Sequence, residues 1–85
     1  MYAIKISYSW GDEEPLRGNY KTKEEAFFDA CMMAAKEAYV QNEEFLEGRT
    51  ANVCFNASDY VISLEYEYDG ETCFYEIVDE DDSQA

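Results

Sequence analysis

Two alternating runs on either side of Asp69-Gly70 constrain the fold more than any other feature of this sequence. In ISLEYEYDGETCFYEI, an apolar residue recurs at every second position both before and after that dipeptide. A period of two is typical of a strand with one buried face, and Asp-Gly is a strong signal for a two-residue hairpin turn. The segment therefore predicts an antiparallel hairpin. Its predicted register pairs Tyr68 with Glu71, Tyr66 with Cys73, Leu64 with Tyr75 and Ile62 with Ile77.

Two further strands and one helix follow from the remaining patterns. MYAIKISYSW alternates strictly and predicts a first strand, while TANVCFNA predicts another strand ahead of the hairpin. Between them, Thr22 and Glu25 have the spacing of a capping box, which starts a helix. The helical pattern continues to Glu47, and Gly48 stands where a C-terminal cap is expected. The stripe predicted to face the core contains Phe27, Cys31, Ala34, Ala35, Ala38 and Phe45, with Phe28, Met32, Tyr39 and Leu46 at its borders.

These elements predict an α+β fold of a single domain over residues 1–78. The element order is β-α-β-β-β, with one long helix packed on one face of an antiparallel or mixed sheet. Residues 16–20 fit either a short strand or an irregular return. The final segment, DEDDSQA at 79–85, has no periodicity and predicts an acidic, mobile C-terminal tail.

Charge is the outstanding feature of the composition. Twenty acidic residues face six basic ones, which gives a formal net charge of −14 over 85 residues. Arg49 is the last basic residue, so all the charge beyond it is negative. Such a balance repels nucleic acid and anionic membranes and attracts basic protein surfaces.

The residue inventory argues against catalysis. The chain contains no histidine, no Walker A loop and no G-x-G-x-x-G motif, which removes the commonest general base and the usual nucleotide and zinc sites. Its three cysteines show no C-x-x-C spacing and fit reduced thiols of a cytoplasmic protein. No signal peptide or membrane span is predicted. We therefore expect neither an enzyme nor a cofactor.

The candidate functional residues lie on the predicted hairpin and tail. Glu65, Glu67 and Asp69 project from one face of a strand at intervals of about 6.8 Å, comparable to the step between phosphates along a nucleic-acid strand. Phe74 is predicted on the same face, opposite Glu65, where it can be an aromatic anchor for a partner or can pack across the strands over the aliphatic stem of Glu65. The full set predicted to bind a partner is Glu65, Glu67, Asp69, Glu71, Phe74, Glu76, Asp79, Glu80, Asp81 and Asp82.

Size, charge, the lack of catalytic groups and the acids Glu65, Glu67, Asp69 and Glu76 together resemble a known class of proteins. These are the small inhibitors of phages and mobile elements that imitate nucleic acid, such as anti-CRISPR proteins, anti-restriction proteins and the uracil-DNA glycosylase inhibitor. The resemblance implies a stoichiometric inhibitor that occupies the nucleic-acid-binding channel of a nuclease or effector complex.

Three alternatives stay open at this point. The acids can simply keep a sheet face solvated and prevent strands from pairing at its edge. The chain can be an interaction or adaptor domain, including a homodimeric one, that uses Phe74 and a sheet edge. It can also be a small metal-binding domain, although neither DEEP nor DEDD has the ligand spacing of an EF-hand loop.

Overall fold

One helix packs on a five-stranded sheet, which confirms the predicted α+β class. The computed structural model describes residues 1–44, 51–66 and 70–80, with the side chains of 41–44 excepted. The elements are β1 (Tyr2–Tyr8), β2 (Arg17–Tyr20), α1 (Lys23–Glu44), β3 (Ala51–Asn56), β4 (Val61–Tyr66) and β5 (Thr72–Asp79). The short strand β2 resolves the open question about residues 16–20. The helix end predicted at Glu47 and Gly48 lies outside the described residues.

The sheet has the strand order β2-β1-β5-β4-β3, and every neighbouring pair is antiparallel. The first and last strands pair along their whole length, from Tyr2 opposite Asp79 to Tyr8 opposite Cys73. This pairing places β5 in the centre of the sheet, with β2 and β3 as its two edges. Beyond β5, the Glu80 amide donates to the Met1 carbonyl over 2.9 Å. Residues 81–85 of the predicted tail lie outside the described residues.

The predicted register of the β4–β5 hairpin is wrong by two residues. Leu64 pairs with Cys73 and Ile62 with Tyr75, rather than with Tyr75 and Ile77. The Tyr66 amide donates to the Glu71 carbonyl over 2.9 Å, whereas the prediction paired Glu71 with Tyr68. A shift by two preserves the alternation, so each residue keeps its predicted face.

The helix contacts the sheet through a stripe of small residues, here called the alanine stripe: Ala26, Ala30, Ala34 and Ala38. The predicted stripe was correct for Ala34 and Ala38 but wrong for Ala35, which is exposed, and it omitted the fully buried Ala26 and Ala30. Against the alanine stripe pack Ile4, Ile6, Ile62, Leu64, Tyr66, Cys73 and Tyr75. Alanine lets the helix backbone approach the sheet closely and loses no side-chain entropy on burial.

Hydrogen bonds and a ring contact fix the N-terminal end of α1. The Thr22 hydroxyl accepts a hydrogen bond from the Glu25 amide over 3.2 Å. This is one of the two hydrogen bonds of the predicted capping box, and it is confirmed. In the β3–β4 turn, Tyr60 adopts a positive φ of 55°, which is uncommon for an aromatic residue. Its ring meets Phe27 edge-on with centroids 5.5 Å apart, and its hydroxyl donates to Glu24 over 3.1 Å. These contacts join the turn to the first turn of α1.

Candidate functional site: an acidic sheet face

The side of the sheet turned away from α1 is here called the open face. Strand alternation places on it the residues that do not join the core cluster, among them Lys5, Ser7, Cys54, Ser63, Glu65, Thr72, Phe74 and Glu76. No described element packs over these residues, since the single helix covers the opposite side. The open face is therefore the surface on which the predicted hairpin acids and Phe74 meet.

Phe74 lies at the centre of the open face. Its direct neighbours are Ser7 on β1 and Ser63 on β4, with Cys54 next in the same row on β3. The predicted pairing of Phe74 with Glu65 is wrong, because the two-residue shift brings Thr72 opposite Glu65 instead. The ring is half-buried, so its neighbours cover part of it even though serine side chains are small.

Glu65 and Glu76 flank the row of Phe74 from opposite sides. Glu65 is exposed on β4, between Thr72 and Asn52. Glu76 is half-buried on β5, between Val61 and Lys5. Residues two apart along a strand are about 6.8 Å apart, so each carboxylate lies roughly one such step from the Phe74 row. The arrangement is an aromatic centre with carboxylates at its rim.

The turn after β1 adds carboxylates beside this face. Glu13 forms an isolated antiparallel β-bridge with Ser7, and its carboxylate lies 3.7 Å from the Lys5 ammonium. Asp12 accepts from the Trp10 indole over 2.7 Å, and the Trp10 ring stacks on Tyr8. The turn is fastened to β5, where Thr72 donates its amide to the Ser9 hydroxyl over 2.9 Å. Ser9 in turn donates to Glu71, which ties that predicted site residue to the turn.

In this turn, the Glu14 carboxylate accepts two side-chain hydrogen bonds. It accepts from the Tyr8 hydroxyl over 2.6 Å and from Arg17 over 2.9 Å. The Tyr8 hydrogen bond and, after it, the Arg17 guanidinium lower the pKa of Glu14, against an opposing effect of desolvation. Burial and the same hydrogen bond raise the pKa of Tyr8. This cluster stabilises the turn rather than presenting a free acid.

The remaining predicted site residues divide into two groups. Asp79 ends β5 and Glu80 follows it, both half-buried at the end of the sheet away from Glu65. The others lie outside the described residues: Glu67, Asp69, Asp81 and Asp82. Among the described residues, the structure thus brings Glu65, Phe74 and Glu76 onto one face and places Glu71 at its rim.

A cavity of about 440 Å³ lies on the other side of the sheet, between β1, β5 and the second half of α1. Its lining includes Tyr8, Cys73 and Tyr75, with Arg17 and Lys36 among the charged groups. Burial raises the pKa of the Cys73 thiol to about 11 and also raises that of Tyr75. These groups are protonated at neutral pH, so they are poor nucleophiles and contribute mainly to packing.

The charged side chains of the described residues lie at the surface. None of the charged side chains described is buried in the core. Within residues 1–44, 51–66 and 70–80, no three His, Cys, Asp or Glu side chains converge where they could hold a metal ion. Exposed carboxylates on rigid strands can bind cations or cationic protein groups through charge-assisted hydrogen bonds.

A second exposed surface was missed by sequence reasoning. Phe28, Met32 and Tyr39 were predicted at the borders of the core stripe, but they are 65%, 59% and 67% exposed. They lie on the side of α1 opposite the alanine stripe. The 4-3-4 spacing of Phe28, Met32, Ala35 and Tyr39 was the signal that could have revealed this surface.

Comparison of the chain with protein-family models, with curated proteins and with solved structures found no match. No helix in the described part of the chain has the length and apolar character that crossing a membrane requires. What the fold and the site define is an α+β domain with an acidic, uncovered sheet face.

Proposed function

We propose that this chain is a small acidic binding protein that imitates nucleic acid. In this proposal it inhibits a nucleic-acid-binding host enzyme by occupying its basic channel, in the manner of anti-CRISPR and anti-restriction proteins. The observation that carries the proposal is the placement of charge. The chain has a net charge of −14, and no described charged side chain is buried in the core.

The open face is the surface proposed to enter that channel. Glu65 and Glu76 project from paired strands, which hold carboxylates at fixed spacings as a phosphate backbone does. Phe74 lies between them, and an aromatic residue at the centre of a charged surface is a common anchor in protein interfaces. In the sequence, Glu67 and Asp69 continue the acidic series beyond Glu65.

Electrostatics defines the partner class. A basic groove attracts the acidic chain over long range and speeds the encounter, whereas nucleic acid itself is repelled. The proposed setting is the cytoplasm, where Cys31, Cys54 and Cys73 stay free thiols. Since the attraction is screened by ions, binding is expected to weaken steeply as salt rises.

The test is a competition experiment. The tagged chain is used to capture partners from a bacterial lysate, and bound proteins are eluted with an oligonucleotide at constant ionic strength and identified by mass spectrometry. A partner held through its nucleic-acid channel is released by the oligonucleotide. Retention of every partner at saturating oligonucleotide would contradict mimicry.

Matched charge reversals locate the contact. We expect Glu65→Lys, Glu67→Lys and Asp69→Lys, combined, to weaken partner binding by about 100-fold or more, since each reversed charge repels the basic channel. The control is Glu43→Lys, Glu44→Lys and Glu47→Lys, which changes the net charge equally near the end of the helix. Equal loss in both variants would attribute binding to net charge rather than to the open face.

A second candidate function is an adaptor domain without an inhibitory role. The exposed side chains of Phe28, Met32 and Tyr39 favour it, because large apolar side chains uncovered on one helix face are typical of protein interfaces. An adaptor would keep its partner at high salt and in the presence of oligonucleotide. If it dimerises through Phe74, Phe74→Ala would yield a monomer in sedimentation equilibrium.

A further inference from the structure

The solvent-facing side of α1 carries a continuous apolar stripe, here called the outer face: Phe28, Met32, Ala35 and Tyr39. Spacings of four, three and four residues keep these side chains on one side of a helix, as at the a and d positions of a coiled coil. At 1.5 Å per residue, the stripe from Phe28 to Tyr39 is about 16 Å long. That length is three helical turns, enough to hold another helix.

The outer face is not part of the core packing of this domain. The alanine stripe lies on the opposite side of the helix and is buried against the sheet. Thus α1 buries four alanines and leaves Phe28, Met32 and Tyr39 more than half exposed. A contiguous set of large apolar side chains in water is unfavourable, and on a soluble domain it marks a docking surface.

Charge around the outer face selects the kind of partner. A groove of about 490 Å³ surrounds the Phe28 end of the stripe, lined by Tyr20, Glu24, Glu25, Phe28 and Asp29. Burial, and after it the neighbouring Asp29 carboxylate, raise the pKa of Tyr20, which shows that the tyrosine and the carboxylate lie close together in this groove. Carboxylates beside aromatic rings suit a lysine or arginine side chain, through ion pairing and cation–π attraction.

We propose that the outer face docks a basic amphipathic helix of a partner protein. The apolar side of that helix packs along Phe28, Met32 and Tyr39, and one of its cationic side chains enters the groove beside Tyr20. A second copy of this chain is a poor occupant, because Lys23–Glu44 contains six acids and two bases. Two such helices side by side repel each other. The inference does not depend on the proposed nucleic-acid mimicry.

The test uses the full chain, labelled with ¹⁵N, and two synthetic peptides of about 21 residues, or three heptads. The first peptide has leucine at positions a and d and lysine elsewhere. The second has the same composition, but its leucines are distributed around the whole helix. We expect the first to bind about tenfold more tightly, since only it presents an apolar stripe. Its amide shift changes are expected at 28–39 of α1 and at Tyr20.

Matched variants complete the test. Phe28→Ser with Met32→Ser is expected to weaken binding of the first peptide at least tenfold. The control is Phe55→Ser on β3, which removes a side chain that is 55% exposed elsewhere and is expected to change affinity less than about twofold. Both changes are at the surface, and circular dichroism checks that the fold is retained.

Three results would overturn the proposal. Equal affinity for the two peptides would mean that charge alone, and not an apolar stripe, determines binding. Shift changes confined to the open face would move the docking site to the sheet. A dimer in sedimentation equilibrium that the double serine variant dissociates would make a second copy the occupant instead.

Discussion

The molecule has two uncovered surfaces on opposite sides, and they differ in kind. On the open face the aromatic ring of Phe74 is half-buried between strands, with Glu65 and Glu76 to either side. On the outer face Phe28 and Tyr39 are about two-thirds exposed, and carboxylates lie beside the Phe28 end. The outer face, with its exposed apolar side chains, and the predicted acidic surface therefore lie on different sides of the domain.

Backbone geometry explains the difference in exposure. Neighbouring strands lie about 4.8 Å apart, so a side chain on a sheet has close neighbours on both sides. Phe74 therefore loses much of its exposure to cross-strand neighbours, even though two of them are serines. Side chains on the outside of a helix diverge radially and cover one another less. Phe28 and Phe74 are both phenylalanines, yet Phe28 is 65% exposed whereas Phe74 is half-buried.

The largest effect is expected from a residue on which both surfaces depend. Leu64 is fully buried between the sheet and α1. We expect Leu64→Ala to lower the free energy of unfolding by about 3 kcal/mol, through lost burial and a cavity. Urea denaturation followed by circular dichroism measures it. A change below about 1 kcal/mol would mean that the helix and sheet are less tightly packed than the structure indicates.

Thiol reactivity separates the open face from the core. Cys54 is exposed in the row of Phe74, whereas Cys73 is buried with a pKa of about 11. Relative to an ordinary thiol, that pKa leaves about 100-fold less thiolate at neutral pH. We expect iodoacetamide to modify Cys54 at least about 100-fold faster than Cys73, as measured by peptide mass spectrometry.

The same reagent then distinguishes the two surfaces. A partner on the open face should protect Cys54, while the amphipathic lysine–leucine peptide on the outer face should leave its rate unchanged. Protection of Cys54 by that peptide would contradict separate binding at the open face and the outer face. Comparable labelling of Cys73 and Cys54 in the free protein would contradict the assigned burial.

Alanine substitutions at Phe74 and Phe28 compare how much each ring contributes to the free energy of unfolding. Phe74→Ala should lower the free energy of unfolding by about 1.5 kcal/mol, because a half-buried ring loses part of the value of a core phenylalanine. Phe28→Ala should change it by less than about 0.5 kcal/mol, as at other exposed sites. Urea midpoints of the two variants test this. Equal values would mean that the two rings are covered to the same extent.

The smallest effect concerns Glu14, at the turn beside the open face. Because its folded-state pKa is lowered, its contribution to stability is present above the ordinary value of 4.5 and is lost as pH falls through the lowered pKa. The carboxylate is 32% exposed, so solvent screening limits this contribution to about 1 kcal/mol at most.

Glu14→Gln should therefore lose less stability than the parent chain between about pH 5 and pH 2. Subtracting one pH profile of stability from the other cancels the effect of the acidic net charge, which both chains share. Tyr8→Phe, which deletes the hydrogen bond that lowers the pKa most, should flatten the profile in the same way. Parallel profiles for all three chains would show that Glu14 has an ordinary pKa.

Much of the fold was predictable, and the errors have identifiable causes. Alternation located β1, β3, β4 and β5, and the capping box at Thr22 located the start of α1. The register failed because the Asp-Gly signal selects a two-residue turn and so pairs Tyr68 with Glu71, whereas the backbone hydrogen bond to Glu71 comes from Tyr66. Gly70 has the positive φ, 73°, that the turn prediction required. Local turn chemistry thus identified the hairpin but not its register.

Of the candidate site, the sequence predicted the face but not the neighbours. Glu65, Phe74 and Glu76 share the open face as predicted, since a two-residue shift leaves side-chain direction unchanged. Which residue lies beside Phe74 depends on pairing across strands, which alternation does not encode. The outer face was missed because apolar residues surround most of α1, and periodicity then favours no single side.

The sequence by itself determined the net charge of −14 and the side on which each residue of β1, β3, β4 and β5 lies, because a count of charges and a period of two need no tertiary contacts. Only the tertiary structure decided which side of α1 is buried. Packing chose Ala26, Ala30, Ala34 and Ala38, whose small side chains let the helix approach the sheet closely. The larger Phe28, Met32 and Tyr39 were left facing solvent for the same reason.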